Sequence, residues 1–207
     1  MLIVLLAVGA GAAAQSVAGF GFALICGPVL IAALGQAEGL RLIVTLSTLV
    51  SLGILVPNWR KAKLRDGLLL AAPGVVLAPL LVWLLRDVDK NALTIAAGVI
   101  VAGGTSALMN VLGGMSGPVA ALYAVNAGWP ERSIRPTLQV FGITLNIATL
   151  LSIGGIAIDW PATLSLVAGW LVGSAVARLL PAGRTRQVIL LVAAAGGVFA
   201  VWRGIAG

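Results

Sequence analysis

The chain has 207 residues, of which 60% are hydrophobic and only 9% are charged, and its mean hydropathy is +1.13. A soluble domain carries about 25% charged residues, so this composition indicates an integral membrane protein. The formal charge of +7 comes from Lys and Arg in short breaks between apolar runs, where they set topology rather than bind nucleic acid. The chain has no His and one Cys, which excludes His metal ligands, His-based triads and internal disulfides.

Taken in chain order, apolar segments alternate with short charged connections. The first segment, 2–34, is too long for one span and short for two, so we predict a helix, a break at 15–21 and a second helix. After a span at 42–56, the loop 60–66 carries four cations, which places it in the cytoplasm by the positive-inside rule. Further spans are predicted at 67–85, 92–108, 134–153, 161–180 and 187–201.

The longest uncharged run, 91–130, must also be interrupted. As one helix it would be about 60 Å long, twice the hydrocarbon thickness of a bilayer, and the Gly-rich stretch 110–117 is where it can break. Irregular backbone at membrane depth is tolerated only where it is buried in protein or lines a wet cavity. Two breaks at corresponding positions of two halves point to the binding site of a secondary transporter.

An offset of 95 residues aligns the two halves without a gap, so that Gln15 meets Asn110 and Gly19 meets Gly114. The cationic loop then corresponds to 155–161, which has no Lys or Arg. If both loops obey the positive-inside rule, they face opposite sides and the two halves are inverted.

These patterns define the predicted fold class, which is all-α. We predict one membrane domain, 1–207, built as a polytopic bundle of about 7–9 transmembrane helices. Repeat one covers 1–95 and repeat two covers 96–207, and each contains a broken or re-entrant helix. Within repeat two, Gly169, Gly173 and Ala177 form a small-residue row suited to close helix packing.

The residues at the two breaks resemble the sulfite exporter TauE/SafE family of membrane transporters. The resemblance rests on Gly19-Phe20-Gly21 after a leading apolar segment, on Gly113-Gly114-Met115-Ser116-Gly117 at the second break, and on the two-half architecture. It implies a multi-pass transporter of sulfite, organosulfonates or related anions in the bacterial inner (plasma) membrane. Phe22 and Ala23 stand where further glycines are usual in that family, which affects the substrate more than the fold.

The charged residues lie at or near predicted span ends, so no carboxylate is expected in the membrane to relay protons. An anion can instead be held by backbone N–H groups at half-helix N-termini, helped by hydroxyl and amide donors. The predicted substrate-binding residues are Gln15, Ser16, Gly19, Phe20, Gly21, Asn110, Gly113, Gly114, Met115, Ser116, Gly117, Gln139 and Asn146.

Plainer interpretations stay open for these residues. The glycines also suit tight helix packing, and buried amides such as Gln15 and Asn110 also tie helices together. Second-tier candidates are the hydroxyl residues Ser47, Thr48, Ser51 and Thr144. Hydroxyls in membrane helices more often bond to their own backbone than to a ligand. Arg41 and Arg135 lie at span entrances, where a role in topology is favoured over a role in attracting anions.

The sequence therefore predicts a secondary transporter or facilitator that moves a small anion by alternating access between inverted halves. Its expected partners are the anionic substrate and the lipid bilayer, with no cofactor, metal or nucleic acid, and a homo-oligomer is left open. The alternative is a non-transporting membrane assembly or accessory subunit whose glycines serve packing alone. An enzyme is not expected, because the chain offers no His, acidic pair or metal cluster.

Overall fold

The computed structural model describes residues 1–85 and 117–179, and this part of the chain is all-helical. Its helices are α1 (Leu2–Ala18), α2 (Phe22–Leu34), α3 (Gln36–Leu55), α4 (Leu64–Leu85), α5 (Gly117–Asn126), α6 (Glu131–Ile153) and α7 (Trp160–Leu179). A 3-10 turn, Val56–Lys61, follows α3. The expected all-α bundle is confirmed at this level. The spans predicted at 92–108 and 187–201 lie outside the described residues.

Within residues 1–85 and 117–179, three helical segments are long and apolar enough to cross a membrane: Gln36–Lys61, Glu131–Ile153 and Trp160–Leu179. The 20 residues of α3 extend about 30 Å, the hydrocarbon thickness of a bilayer. Large apolar side chains on the outer faces are exposed, among them Leu151 at 80% and Leu164 at 69%. Lipid accommodates such a surface, whereas a soluble monomer rarely presents one. These features indicate a membrane protein.

The connection between α1 and α2 is shorter than the break predicted at 15–21. The N–H of Gly19 donates to the carbonyl of Gln15 at 2.7 Å and closes the last turn of α1, so the helix continues through Ser16. Only the three-residue turn Gly19-Phe20-Gly21 leaves the helix. Its two glycines have φ of 88° and 113°, a left-handed conformation that disfavours residues with a Cβ.

Beyond this turn, α2 packs back against α1. A Cβ added to Gly11 would lie 2.9 Å from the carbonyl oxygen of Phe22, so the two helix backbones are nearly in contact. The connection between the predicted segments 2–34 and 42–56 is also shorter than expected. Gly35 alone, with φ of 79° and ψ of 169°, joins α2 to α3, and Glu38 and Arg41 already belong to α3.

Helix α7 packs along α1 more extensively than along any other described helix. A Cβ added to Gly169 would lie 2.0 Å from the carbonyl oxygen of Gly9, and one on Gly173 would lie 2.5 Å from that of Ala13. The hydroxyl of Ser165 also donates to the carbonyl of Leu5 at 2.6 Å. The small-residue row expected to allow close helix packing does so at Gly169 and Gly173.

Helices α3 and α6 pack together and run antiparallel. At one end, Arg41 of α3 donates from Nε and Nη2 to the carbonyl of Ile153 at 3.3 and 3.2 Å. At the other end, the N–H of Lys63 donates to the hydroxyl of Thr137 at 2.9 Å. The cationic loop therefore lies beside the first turns of α6. The polar residues in the middle of these two helices face the candidate site.

Candidate functional site

A small cavity of about 40 Å³ lies where the α1–α2 turn meets α3, α5 and α6; we call it the central cavity. Its lining residues are Gln15, Gly19, Phe20, Gly21, Phe22, Ala23, Leu24, Ser47, Ser51, Gly117, Leu138, Gln139, Phe141, Gly142 and Asn146. No charged side chain is among these lining residues. Ser47 and Gly142 lie near the middle of the candidate spans Gln36–Lys61 and Glu131–Ile153, so the cavity lies about halfway along both candidate spans.

The first turn of α2 forms one wall of the central cavity. Phe22, Ala23 and Leu24 line it, and the first N–H groups of a helix have no intrahelical acceptor. The N-cap residue, Gly21, has no side chain to accept from them. A helix N-terminus carries a partial charge of about +0.5, which makes this wall attractive to a negative group.

Two buried glutamines join the turn to α3 and α6 through four hydrogen bonds. Gln139 donates from Nε2 to the carbonyls of Gly19 at 2.7 Å and Arg135 at 3.0 Å. Gln15 donates from Nε2 to Gln139 Oε1 at 3.1 Å and to Ser51 Oγ at 2.8 Å. Because carbonyl oxygens only accept, the contacts of Gln139 fix the orientation of both amides.

This network uses both N–H bonds of each glutamine, so neither amide has a donor left for an anion in this conformation. In this structure the side chain of Gln15 therefore holds helices together, which is the plainer of the two interpretations given for it from sequence. Ser51 only accepts in this network, and its own proton remains free to donate into the cavity. The side chain of Asn146 is 3% exposed, lines the cavity and makes no hydrogen bond within the described residues.

The donors that remain for a ligand are thus two serine hydroxyls, one asparagine amide and backbone N–H groups. Ser47 and Ser51 come from α3, Asn146 comes from α6, and the backbone groups come from the first turn of α2. All are neutral donors, and the described lining of the cavity contains no carboxylate. This arrangement suits a small oxyanion better than a cation.

Phe20 brings the two predicted breaks into contact. It is 4% exposed, and a Cβ added to Gly117 would lie 2.5 Å from the Cβ of Phe20. Gly117 therefore allows the α1–α2 turn to lie directly against α5. Phe20 closes one side of the central cavity at this contact.

The structure brings seven of the thirteen predicted site residues together around the central cavity: Gln15, Gly19, Phe20, Gly21, Gly117, Gln139 and Asn146. Ser16 does not line it. The hydroxyl of Ser16 donates to the carbonyl of Ala12 at 2.8 Å on its own helix, because residue 16 is still helical and turned towards the protein interior. The other five predicted residues, Asn110, Gly113, Gly114, Met115 and Ser116, lie outside the described residues.

Sequence reasoning ranked two cavity residues too low. From sequence alone, Ser47 and Ser51 are second-tier candidates, because hydroxyls in membrane helices usually bond to their own backbone. That rule holds for Thr48, which donates to the carbonyl of Val44 at 2.8 Å. Ser47 and Ser51 are four residues apart, about one helical turn. This spacing indicates from sequence alone that both side chains lie on the same face of α3.

Within the described residues, no group of three or more Cys, Asp and Glu side chains is arranged to hold a metal ion. Comparison with protein-family models, with curated proteins and with solved structures finds no match to this chain. The case for function therefore depends on the geometry of the central cavity.

Proposed function

We propose that this protein is a secondary transporter or facilitator that moves a small anion across the membrane. The observation that carries the proposal is the central cavity itself. It lies at mid-depth between candidate spans, is lined by uncharged polar donors, and is bounded by a helix N-terminus. Non-helical backbone at this depth is typical of transporter binding sites.

The size of the cavity supports a small inorganic oxyanion over a long organosulfonate. About 10–15 Å³ of such volume holds one water, so 40 Å³ has room for roughly three groups of that size. Sulfite has four non-hydrogen atoms and is close to this limit. Its choice among small oxyanions depends on the resemblance to the sulfite exporter TauE/SafE family.

The order of the helices supports two inverted repeats. At an offset of 95 residues, the first residues of α2 and α3 coincide with those of α5 and α6, and α4 and α7 start one residue out of step. The equivalent helices α3 and α6 run antiparallel, as inversion requires. The packing differs between the halves, since α4 packs along α6 whereas α7 packs mainly along α1. Alternating access would rock one half against the other around the central cavity.

The proposed location is the bacterial inner membrane, with the loop 60–66 in the cytoplasm. The support for this orientation is the clustering of Arg60, Lys61, Lys63 and Arg65 in one short connection. The opposite connection, 154–159, holds Asp159 and no Lys or Arg.

Sulfite flux into proteoliposomes tests the proposal. Asn146→Leu keeps the size of the side chain and removes its donor from the cavity. We expect flux to fall at least about tenfold, since one hydrogen bond to a charged group contributes about 1.5–3 kcal/mol. The matched control is Asn126→Leu on the exposed end of α5, which should leave flux unchanged.

The rival function is a membrane assembly or accessory subunit without transport. The observation that favours it is the glutamine network. The N–H donors of Gln15 and Gln139 all bond within the protein and hold helices together, so none is left for a substrate. If purified wild-type protein gives no flux of sulfite, sulfate, thiosulfate or small sulfonates above protein-free liposomes, the rival is the better account. Equal flux in the wild type and Asn146→Leu would remove the central cavity from the pathway.

A further inference from the structure

A second cavity, of about 250 Å³, lies at the end of the bundle that carries the cationic loop; we call it the vestibule. The 3-10 turn after α3 contributes Asn58 and Lys61 to its lining, and the first turns of α6 contribute Glu131, Arg132 and Arg135. It is about six times the volume of the central cavity, so it has room for a hydrated ion or a lipid headgroup.

The charges that line the vestibule favour an anion. Three cations, Lys61, Arg132 and Arg135, face one carboxylate, Glu131. The N-terminus of α6 adds the partial positive charge of its first turn. A concave site lined mainly by one sign of charge, next to a low-dielectric wall, concentrates counter-ions.

Arg135 has a donor without a partner among the residues that the structure describes. Its Nη2 donates to the carbonyl of Ser16 in the last turn of α1. Its Nε is buried and has no hydrogen-bond partner in the part of the chain that the structure describes. A buried unmet donor on a charged group is costly. This Nε is too enclosed for a ligand in the vestibule to reach, so Arg135 offers an oxyanion there the positive charge of its guanidinium.

On α6, Arg135 of the vestibule lies next to a residue of the central cavity. Its own carbonyl accepts from Gln139 Nε2 at 3.0 Å, and Gln139 lines the central cavity. The two residues are one helical turn apart, about 6 Å along the axis of α6. An anion held by Arg135 would therefore be about one helical turn from the central cavity and its neutral donors.

We propose that the vestibule is an oxyanion-binding site, formed by Lys61, Arg132 and Arg135, which loads the central cavity from the side of the cationic loop. This inference depends on the proposed function for the loading step, but not for the binding itself. The chemistry that the site recognises is a small oxyanion group. That group comes either from a free ion such as sulfite or from the phosphate of an anionic lipid.

The test compares two double variants with the same change in charge. Lys61→Gln/Arg132→Gln removes two exposed cations from the vestibule. Arg60→Gln/Arg65→Gln removes two exposed cations from the same loop that do not line it. Both are placed in nanodiscs of phosphatidylcholine alone and with phosphatidylglycerol. Sodium sulfite is titrated at low and high ionic strength, and thermal stability is measured in each lipid.

If free oxyanions occupy the vestibule, Lys61→Gln/Arg132→Gln weakens sulfite binding about tenfold at low salt, and less at high salt. Arg60→Gln/Arg65→Gln then stays within about twofold of the wild type. If lipid phosphate occupies it, phosphatidylglycerol stabilises the wild type and the control variant but not Lys61→Gln/Arg132→Gln. That result supports the oxyanion site and overturns the loading step.

Identical responses of the two double variants to sulfite and to phosphatidylglycerol would overturn the vestibule site. Sulfite flux through the wild type tests the proposed function separately. Binding that is lost only in Lys61→Gln/Arg132→Gln, without any wild-type flux, would keep the site and reject the transporter. Flux that depends on Asn146 but not on Lys61 and Arg132 would keep the transporter and reject the loading step.

Discussion

Gln139 is the residue on which the α1–α2 turn depends most directly. It is 1% exposed, and its amide contacts the turn through Gly19, its own helix through Arg135, and α1 through Gln15. A polar side chain with three partners on different segments fixes their relative positions. The hypothesis that it binds substrate directly is therefore less well supported than the hypothesis that it positions the cavity wall.

Gln139→Leu tests this positioning role. The substitution removes the hydrogen bonds to Gly19 and Gln15, and interhelical hydrogen bonds in membrane proteins contribute about 0.6 kcal/mol on average. With the carbonyl of Gly19 left unpaired, we expect a total loss of about 1–3 kcal/mol, measured as a lower unfolding midpoint in detergent. Thr144→Val, whose hydroxyl bonds only to its own helix at 2.8 Å, should change stability by less than about 0.5 kcal/mol.

The double variant Gln15→Leu/Gln139→Leu separates a network from two independent residues. If the amides act together, the double variant costs less than the sum of the single variants, because their shared bond is lost only once. Strict additivity would contradict the network.

At the scale of elements, the contact between α1 and α7 depends on the absence of side chains. The carbonyl oxygen of Gly9 occupies the place that a Cβ on Gly169 would take. Such close approach gives the favourable packing and weak hydrogen bonding on which helix association in lipid depends.

Gly169→Ala is expected to push the two helices apart and to destabilise the protein by about 1–3 kcal/mol, the range for overpacking a well-packed interior. Gly142→Ala is the matched control for stability. The nearest atom to its added Cβ is Ser51 Oγ at 3.9 Å, and alanine favours a helix over glycine by about 0.5–1 kcal/mol. The two changes should therefore shift the unfolding midpoint in opposite directions. An unchanged or higher midpoint for Gly169→Ala would mean that α1 and α7 can separate without loss.

The boundaries of these elements show what the sequence could and could not reveal. Glycines and charges located the turn at Gly19-Phe20-Gly21, the close-packed row on α7 and the loop after α3. They could not show that Gln15 and Ser16 stay helical, because a polar residue in an apolar run looks like a break whether it faces a cavity or bonds across helices. Only the arrangement of α1 against α6 decides between these cases.

The vestibule was missed for a related reason. Arg135 was interpreted as a topology determinant, which is the common role of an Arg at a span end. Its contact with Ser16, and the lack of a partner for its Nε among the described residues, depend on where α6 lies relative to α1. Spacing along one helix carries no information about that packing.

At the scale of the whole molecule, the antiparallel course of α3 and α6 has a consequence for topology. The cationic loop follows α3, and the connection 154–159 follows α6, so the two connections lie at opposite ends of the bundle. If the bundle spans the membrane, these connections face opposite compartments. If the two halves are repeats at the proposed offset of 95 residues, the antiparallel course of α3 and α6 requires that the halves be inverted.

Cysteine labelling in intact cells tests this arrangement. The one native cysteine, Cys26, is buried, so a membrane-impermeant maleimide should leave the wild type unlabelled. Arg65→Cys places a thiol at an exposed position within the cationic loop, and Ile156→Cys places one at a position that is 71% exposed in the opposite connection. We expect Ile156→Cys to be labelled from outside, whereas Arg65→Cys should be labelled only after the membrane is permeabilised, because a cation-rich loop stays in the cytoplasm.

Both variants should label equally in detergent, which controls for thiol reactivity. Labelling of both thiols from the same side of an intact membrane would rule out inverted halves, and with them alternating access around the central cavity.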